Sequence, residues 1–193
     1  MHKIYSTEGI VLAKRAHGEA NVRVALLTEK LGLINASARS SRVEHSKLRY
    51  GLEPLTRARF VLVRGKAEWR LTGVEMISHD CIGGSSTRRQ ATGRIARLLL
   101  RLVQGEEPLV ELYRAVREGL LFLAAAANEQ DAQAVECVLV LRVLAHLGYL
   151  PRTEELAPFI SDSFFSIELA AEAAKSRTLL IRTINESLQS SGL

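Results

Sequence analysis

The sequence has little of what metal sites, disulfides or cofactors require. Its 193 residues include two cysteines, Cys81 and Cys137, which lie far apart and form no CxxC pair. We therefore expect neither a disulfide nor a cysteine-based zinc site. Free thiols are typical of the reducing cytoplasm, which is the expected location. The five histidines form no HExxH motif, so the sequence predicts no metal and no cofactor.

Catalytic motifs are equally scarce. Of the three aspartates, residues 1–94 contain only Asp80, which is too few for a two-metal nuclease. The chain contains neither a GxxxxGK[ST] loop nor a GxSxG motif. A catalyst assembled from distant glutamates is the enzymatic alternative that stays open. We expect a protein that is not an enzyme.

Long apolar runs and aromatic residues are also few. The longest apolar runs, such as 120–127, have about eight residues, whereas a membrane helix needs about 20. The N-terminus has no apolar stretch before a cleavage site, so we expect no secretory signal and no membrane partner. Aromatic residues make up 5% of the chain, so any nucleic-acid binding should depend mainly on charge.

Positive charge is concentrated in the first half of the chain. Residues 1–94 have 17 Lys and Arg against 8 Asp and Glu, an excess of +9, whereas the remaining residues have 9 against 13, or −4. This asymmetry predicts two domains, residues 1–82 and residues 83–193, of which the first faces a polyanion. A solvated basic surface without a partner is the alternative.

The hydrophobic pattern changes between the two halves. Short apolar runs separated by turn residues predict five strands in the first half, at Gly9–Leu12, Val22–Leu27, Leu33–Ala38, Ala58–Val63 and Ala67–Val74. Five strands with one buried face favour a closed antiparallel barrel, and an OB fold has this size. The predicted fold class is therefore α+β, with a five-stranded OB-fold barrel followed by an α-helical bundle.

From about Thr87 the apolar residues recur at helical spacing. We predict a helix ending before Gly105, a second from Leu109, and a third over Ala132–Leu147 that is apolar almost all round and therefore central. Residues 128–131 read as a turn with capping residues. Residues 166–188 predict one or two further helices, with Ser163 or Ser166 as the cap.

Basic residues cluster around the third, fourth and fifth predicted strands. Two serines separate Arg39 from Arg42, and such small hydroxyl residues keep the backbone accessible to phosphate. Tyr50 is the best candidate for stacking on a base, and Trp69 could serve either this purpose or the core. The predicted DNA-binding residues are Arg39, Arg42, Lys47, Arg49, Tyr50, Arg57, Arg59, Arg64, Lys66 and Arg70.

Several segments, in order along nearly the whole chain, resemble one known family. The run "STEGIVLAKRAHGEANVRVALLTEKLG" begins at Ser6, and "LINASARSSR" and "LEPLTRARFVLVRGKAEWRLTGVE" follow it. The segments "ARLLLRLVQGEEP", "VLRVLAHLGYLP" and "KSRTLLIRTINESL" come after them. This ordered set resembles the RecO family of recombination mediator proteins: the first run resembles the start of its OB domain, the next two its basic loop and following hairpin, and the last three landmarks of its helical domain. Many members carry a four-cysteine zinc motif after the "GYLP" landmark, whereas this chain has no cysteine after Cys137, so we expect the form without zinc.

The resemblance implies a role in DNA repair and recombination. It implies binding of single- and double-stranded DNA, annealing of strands coated by single-strand-binding protein, and assistance to RecA loading together with RecR. It also implies a nucleoid-associated protein that receives the acidic C-terminal tail of single-strand-binding protein, and arginines of the helical half could anchor that tail. The candidates are Arg97, Arg101 and Arg142. An OB-fold module that binds RNA or the ribosome is the alternative.

Overall fold

The structure, a computed structural model, describes residues 3–19, 21–39, 50–66, 68–79, 85–151, 153–161 and 164–190. The first half of the described chain contains five strands: β1 (Ile4–His17), β2 (Asn21–Thr28), β3 (Gly32–Ala38), β4 (Arg57–Arg64) and β5 (Trp69–Ser78). Each strand overlaps a predicted one. β1 is much longer than the predicted Gly9–Leu12, because its polar ends pair with β2 and β4.

The five strands form a closed barrel in the order β1-β2-β3-β5-β4. All neighbouring strands are antiparallel except β3 and β5, and the pairing of β1 with β4 closes the barrel. A β-bulge lies in β1 between Val11 and Ala13, just after the segment Gly9–Ile10 that pairs with both β2 and β4. Bulges let a strand bend sharply enough to belong to both sides of a small barrel. The predicted OB-type barrel is confirmed.

Alternate residues of each strand fill the barrel. In β2, for example, Val22, Val24 and Leu26 are buried while Arg23 between them is exposed. Because successive side chains of a strand point to opposite faces, the residues between the core positions lie on the outer surface. The barrel core consists mainly of Val11, Val22, Val24, Leu26, Ile34, Ala36, Ala38, Leu52, Ala58, Phe60, Leu62, Trp69 and Leu71.

The second half of the described chain is helical. Its helices are α1 (Ser86–Leu102), α2 (Val110–Ala125), α3 (Glu129–His146), α4 (Ala157–Ile160), α5 (Ile167–Lys175) and α6 (Arg177–Ser190). α3 is buried on most of its surface and packs against α4, α5 and α6, as predicted for a central helix. No described helix is long and apolar enough to cross a membrane.

Two helix boundaries depend on side-chain caps. The Asn128 side chain accepts a hydrogen bond from the backbone N–H of Asp131 at 2.9 Å, so α3 begins at Glu129. The prediction of a capping residue within 128–131 is therefore confirmed, but the turn predicted there was wrong, because a helix starts immediately after its capping residue. Ser166 caps α5 through the N–H of Leu169. Ser163 lies outside the described residues.

The contacts divide the chain into two compact units. The first unit comprises Met1–Ile82 and Ala96–Tyr113, and the second comprises Gly83–Ile95 and Arg114–Leu193. The barrel belongs to the first unit, and α3 to α6 belong to the second. The division into domains at residues 82 and 83 stays a prediction.

Cys137 of α3 is a half-buried free thiol. Burial raises the pKa of this thiol above its ordinary value, which keeps it in the less reactive protonated form. Cys81 lies outside the described residues. Within the described part of the chain, no three His, Cys, Asp or Glu side chains are grouped so that they could hold a metal ion.

Candidate nucleic-acid interface

The hairpin formed by β1 and β2 places two arginines side by side. Arg15 of β1 and Arg23 of β2 are direct cross-strand partners. Val22 and Val24 point into the core, so Arg23 and its partner Arg15 point outward, and both are exposed. Side chains at such a position are only about 5 Å apart at Cβ.

The same row continues across two more strands. Arg23 pairs with Ser37 of β3, and Ser37 pairs with Arg70 of β5. Trp69 and Leu71 on either side of Arg70 are buried in the core, so Arg70 also points outward. We call Arg15, Arg23, Ser37 and Arg70 the arginine row; it crosses four neighbouring strands on the outer surface of the barrel.

Small side chains keep this surface flat. Ser37 is almost buried and its hydroxyl donates to the backbone carbonyl of Trp69 at 3.4 Å. The next outward-facing set along the strands consists of Ala13, Ala25 and Asn35. An elongated ligand could therefore approach the arginines closely.

The arginine row has few carboxylates near it. Arg23 forms an ion pair with Glu68 at 3.3 Å. Arg15 and Arg70 have no carboxylate within ion-pair distance among the residues that the structure describes. Like charges directly opposite each other on a sheet are destabilising, so the row is a surface that an anion would stabilise.

Arg15 and Arg23 were missed in the sequence analysis. They are equally far from Glu19 in the turn that joins β1 and β2, so a residue count outward from that turn would have placed them opposite each other. Basic residues cluster more densely later in the chain, so charge composition alone does not single out this hairpin. The missing signal was therefore strand register, which composition does not contain.

Seven of the ten predicted DNA-binding residues either lie on or near this surface or fall partly or wholly outside the described residues. Arg70 belongs to the arginine row, and the exposed Arg39 directly follows β3, two residues after Ser37. Lys66 is exposed in the turn between β4 and β5. Tyr50 starts a short 3-10 turn, but its side chain is not among those that the structure describes. Arg42, Lys47 and Arg49 lie outside the described residues altogether.

Arg64, at the end of β4, is held by an acidic partner and an aromatic ring. Its guanidinium donates to the Glu106 carboxylate, and this ion pair holds the pKa of Glu106 below its ordinary value. The same guanidinium lies 4.8 Å from the centre of the Trp69 ring. Trp69 also meets the edge of Tyr5, and it is only 5% exposed. Trp69 is therefore a core residue, which decides between the two uses that the sequence left open.

Arg57 and Arg59 lie away from the arginine row and have acidic neighbours. Arg59 faces Glu8 and Glu75 across its two neighbouring strands, and it donates to Glu75 at 3.0 Å. Arg57 is half-buried 3.7 Å from Glu8, which also accepts a hydrogen bond from the Tyr113 hydroxyl at 2.9 Å. The structure therefore does not bring these two arginines together with Arg70.

The arginines predicted to hold a partner peptide belong to two different units. Arg97 and Arg101 are exposed on the part of α1 that belongs to the first unit. Arg142 belongs to the second unit and is buried, with its Nε donating to the Phe159 carbonyl at 3.0 Å and its guanidinium 4.3 Å from the centre of the Phe165 ring. The Arg142 guanidinium therefore packs against the Phe165 ring and does not present its charge at the surface.

Phe165 also lines an apolar groove in the second unit. The groove has a volume of about 320 Å³ and is formed by Glu118, Leu121, Phe122, Ala125, Phe164 and Phe165. Phe164 is 79% exposed. A groove with such walls is suited to an apolar side chain of a ligand.

Comparisons with known proteins agree with the barrel and the helices. Residues 1–79 match the family model for the N-terminal part of recombination protein O, and residues 90–157 match the model for its C-terminal part. The DNA repair protein RecO of Heliobacterium modesticaldum is 31% identical over 150 residues, which cover 77% of this chain and 53% of that protein. The DNA repair protein RecO of Thermodesulfovibrio yellowstonii is 33% identical over 155 residues, covering 76% of this chain and 58% of that protein.

The DNA repair protein RecO of Bifidobacterium longum subsp. infantis is 30% identical over 152 residues, covering 77% of this chain and 63% of that protein. The chain thus spans between about half and two thirds of the length of the curated relatives that it matches. The two family models match consecutive parts of the chain, in the family's order, on the barrel and on the helices that follow it. The chain belongs to the RecO family of recombination proteins.

Proposed function

We propose that this protein binds single-stranded DNA along the arginine row and acts as a mediator of DNA repair. The observation that carries the proposal is the cross-strand pair of exposed arginines on the outer surface of an OB barrel. OB folds bind oligonucleotides on the face of the second and third strands and on the loops that join strands one and two and strands four and five. The arginine row crosses this face between those two loops.

A nucleic-acid backbone relieves the repulsion within the row. Arg15 and Arg70 have no acidic partner among the described residues, so phosphate oxygens can meet them without displacing a carboxylate. When DNA binds, Arg23 exchanges the Glu68 carboxylate for a phosphate oxygen. Contacts of this kind carry no sequence information. Binding should therefore tolerate any sequence and weaken as salt increases.

Membership of the RecO family supports the finer role. We propose that the protein anneals complementary strands coated by single-strand-binding protein, and that with RecR it assists the loading of RecA. It also binds the phosphates of double-stranded DNA through the same arginines, it is associated with the nucleoid in the cytoplasm, and it catalyses no covalent step. A few charge contacts on a flat surface suit annealing, because a strand must be released as soon as it finds its complement.

The second unit offers a site for the tail of single-strand-binding protein. We place the apolar end of that acidic tail in the groove that Phe122, Phe164 and Phe165 line. Arg142 acts there by holding the Phe165 ring in position. Arg97 and Arg101 belong to the other unit, so we assign them no part in this groove.

The decisive experiment compares two double variants that change net charge equally. Arg15→Ser with Arg70→Ser removes two arginines of the row, whereas Arg59→Ser with Arg182→Ser removes two exposed arginines that have acidic partners elsewhere. Fluorescence anisotropy would measure the affinity for a labelled single strand at several salt concentrations. The first variant should bind more weakly, with a salt slope lower by about 1.4, since each phosphate contact contributes about 0.7 on single strands. Equal losses in both variants would place the DNA elsewhere.

The same variants test the finer role. Two complementary oligonucleotides are coated with single-strand-binding protein, and their annealing is followed with and without the protein. Wild type and the Arg59 and Arg182 variant should accelerate annealing, and the row variant should not. Binding without acceleration would contradict the mediator role. Tighter binding of an RNA of equal length would favour the RNA-binding alternative.

A further inference from the structure

The arginine row continues past Arg70 onto an apolar surface. Arg70 pairs with Val63 of β4, and Val63 pairs with Ile4 of β1. Ile4 is 68% exposed. Val61, two residues before Val63 on the same face of β4, lies between Ser6 of β1 and Gly73 of β5. We call Ile4, Val61 and Val63 the apolar strip.

Ile4 contributes little to the barrel core. The core position at this end of β1 is taken by its neighbour Tyr5, which packs on the core and meets the Trp69 ring at 5.0 Å. The strip is also open on the β5 side, because Gly73 has no side chain and a Cβ there would lie 3.3 Å from the Cβ of Val61. The apolar strip is therefore exposed at Ile4 and partly exposed at Val61 and Val63.

Positively charged residues lie beside the apolar strip. Arg70 lies beside Val63 in the next strand, whereas Arg64, which follows Val63 along β4, is paired with Glu106. Lys3 precedes Ile4, and its ammonium group lies 5.2 Å from the centre of the Tyr5 ring. Apolar side chains between cations match a ligand that alternates flat apolar groups with negative charges, which is the chemistry of a single-stranded nucleic acid.

Trp69 does not serve the arginine row as a base contact. Trp69 is buried beneath Arg64, and the side chain of Tyr50 lies outside the described residues. The strip lies one to two strand spacings from Arg70, about 5 to 10 Å. A nucleotide whose phosphate meets Arg70 can reach this distance with its base.

We propose that the apolar strip contacts an unpaired base of the strand whose phosphates lie on the arginine row, and that Ile4 is the main contact. This inference rests on the proposed function and adds a reason for preferring single strands. The bases of a duplex are stacked inside it and cannot lie on the strip. The row attracts the backbone of any nucleic acid, whereas the strip selects the unpaired form.

The test compares two ligands that differ only in their bases. One is a labelled oligothymidine, and the other is a deoxyribose-phosphate strand of the same length without bases. Ile4→Ser should weaken binding of oligothymidine about fivefold, the loss expected from removing one partly covered apolar contact. It should leave binding of the abasic strand unchanged, and Ile4→Leu should keep both affinities.

Met76→Ser is the matched control. Met76 is 53% exposed on β5, and it pairs with Ala58, which faces Gly9 rather than Ile4 on β1. This variant should change neither affinity. Equal losses for the two ligands in Ile4→Ser, or no loss at all, would overturn the base contact while leaving the proposed function intact. Failure of wild type to bind either strand would instead refute the proposed function, and this inference with it. Normal DNA binding by Ile4→Ser together with failed annealing would overturn the inference in favour of a protein partner on the strip.

Discussion

Arg15 and Arg23 face each other across the β1–β2 hairpin, and both side chains are exposed on the outer surface of the barrel. Two like charges at directly opposed positions destabilise a sheet by a few tenths of a kcal/mol to about 1 kcal/mol. The barrel keeps this unfavourable pair although threonine would suit either position of the strand. Stability and ligand binding should therefore respond in opposite directions when the pair is removed.

Arg15→Thr should raise the melting temperature while weakening binding of single-stranded DNA. Relief of about 0.5 kcal/mol corresponds to roughly 1 to 2 °C in a chain of this size. The gain should disappear at high salt, because exposed charges are then screened. Thermal unfolding at low and high salt provides the measurement, and Arg39→Thr, an exposed arginine beyond the end of β3, is the control. A lower melting temperature for Arg15→Thr at low salt would contradict the prediction.

Glu106→Gln should strengthen binding of single-stranded DNA. The Glu106 carboxylate occupies Arg64 as a phosphate would, so neutralising it makes that guanidinium available. We expect a gain of about threefold in affinity at low salt, comparable to one weak ion pair. Anisotropy titrations measure the gain, and Glu75→Gln removes the same charge from the partner of Arg59 as a control. Identical gains in both variants would point to net charge rather than to Arg64.

Arg142→Leu should destabilise the second unit by about 3 kcal/mol. The substitution removes the donor to the Phe159 carbonyl and the contact with the Phe165 ring, and it does so at a buried position. Arg142→Lys should not restore stability, since a lysine lacks the planar guanidinium that lies over the ring. Denaturant unfolding provides the free energies. Arg182→Leu on the exposed surface of α6 should change stability by less than about 0.5 kcal/mol.

Gly32→Ala should be much more destabilising than Gly18→Ala. Both glycines have positive φ, +64° and +70°, so an alanine is strained at either position. A Cβ at Gly32 would also lie 2.3 Å from the carbonyl oxygen of Glu107, whereas a Cβ at Gly18 would have no neighbour within 4 Å. We expect a loss of about 1 kcal/mol at Gly18 and at least about 2 kcal/mol more at Gly32. Similar losses of stability at both positions would mean that the backbone around Glu107 moves easily to make room for the added methyl group.

Much of the fold followed from local patterns. The five strands alternate core and surface residues clearly enough to predict the barrel, and the helices from α1 to α3 show helical periodicity. α4 was missed because its four residues are too short for a periodic signal. The start of α3 was misplaced because its polar first turn resembles a loop until the Asn128 cap is considered.

The site was harder to predict because it depends on contacts between distant residues. The clustering of basic residues predicted Arg39 and Arg70 as DNA-binding residues, and their role in binding stays a prediction. The surroundings of Arg57 and Arg64 depend on Glu8 and Glu106, which are far away in the sequence. Composition shows that the first half is basic, but only strand register shows which arginines share one row.

The direction of the arginine row limits how much of a strand the barrel can cover. Four neighbouring strands at about 4.8 Å spacing extend over only about 14 Å, the length of a few nucleotides and thus near the lower end of the footprints known for OB folds. One copy would leave most of a long strand uncovered. On the function that we propose, the remaining bases would stay free to search for their complement while the protein holds only a short stretch of backbone.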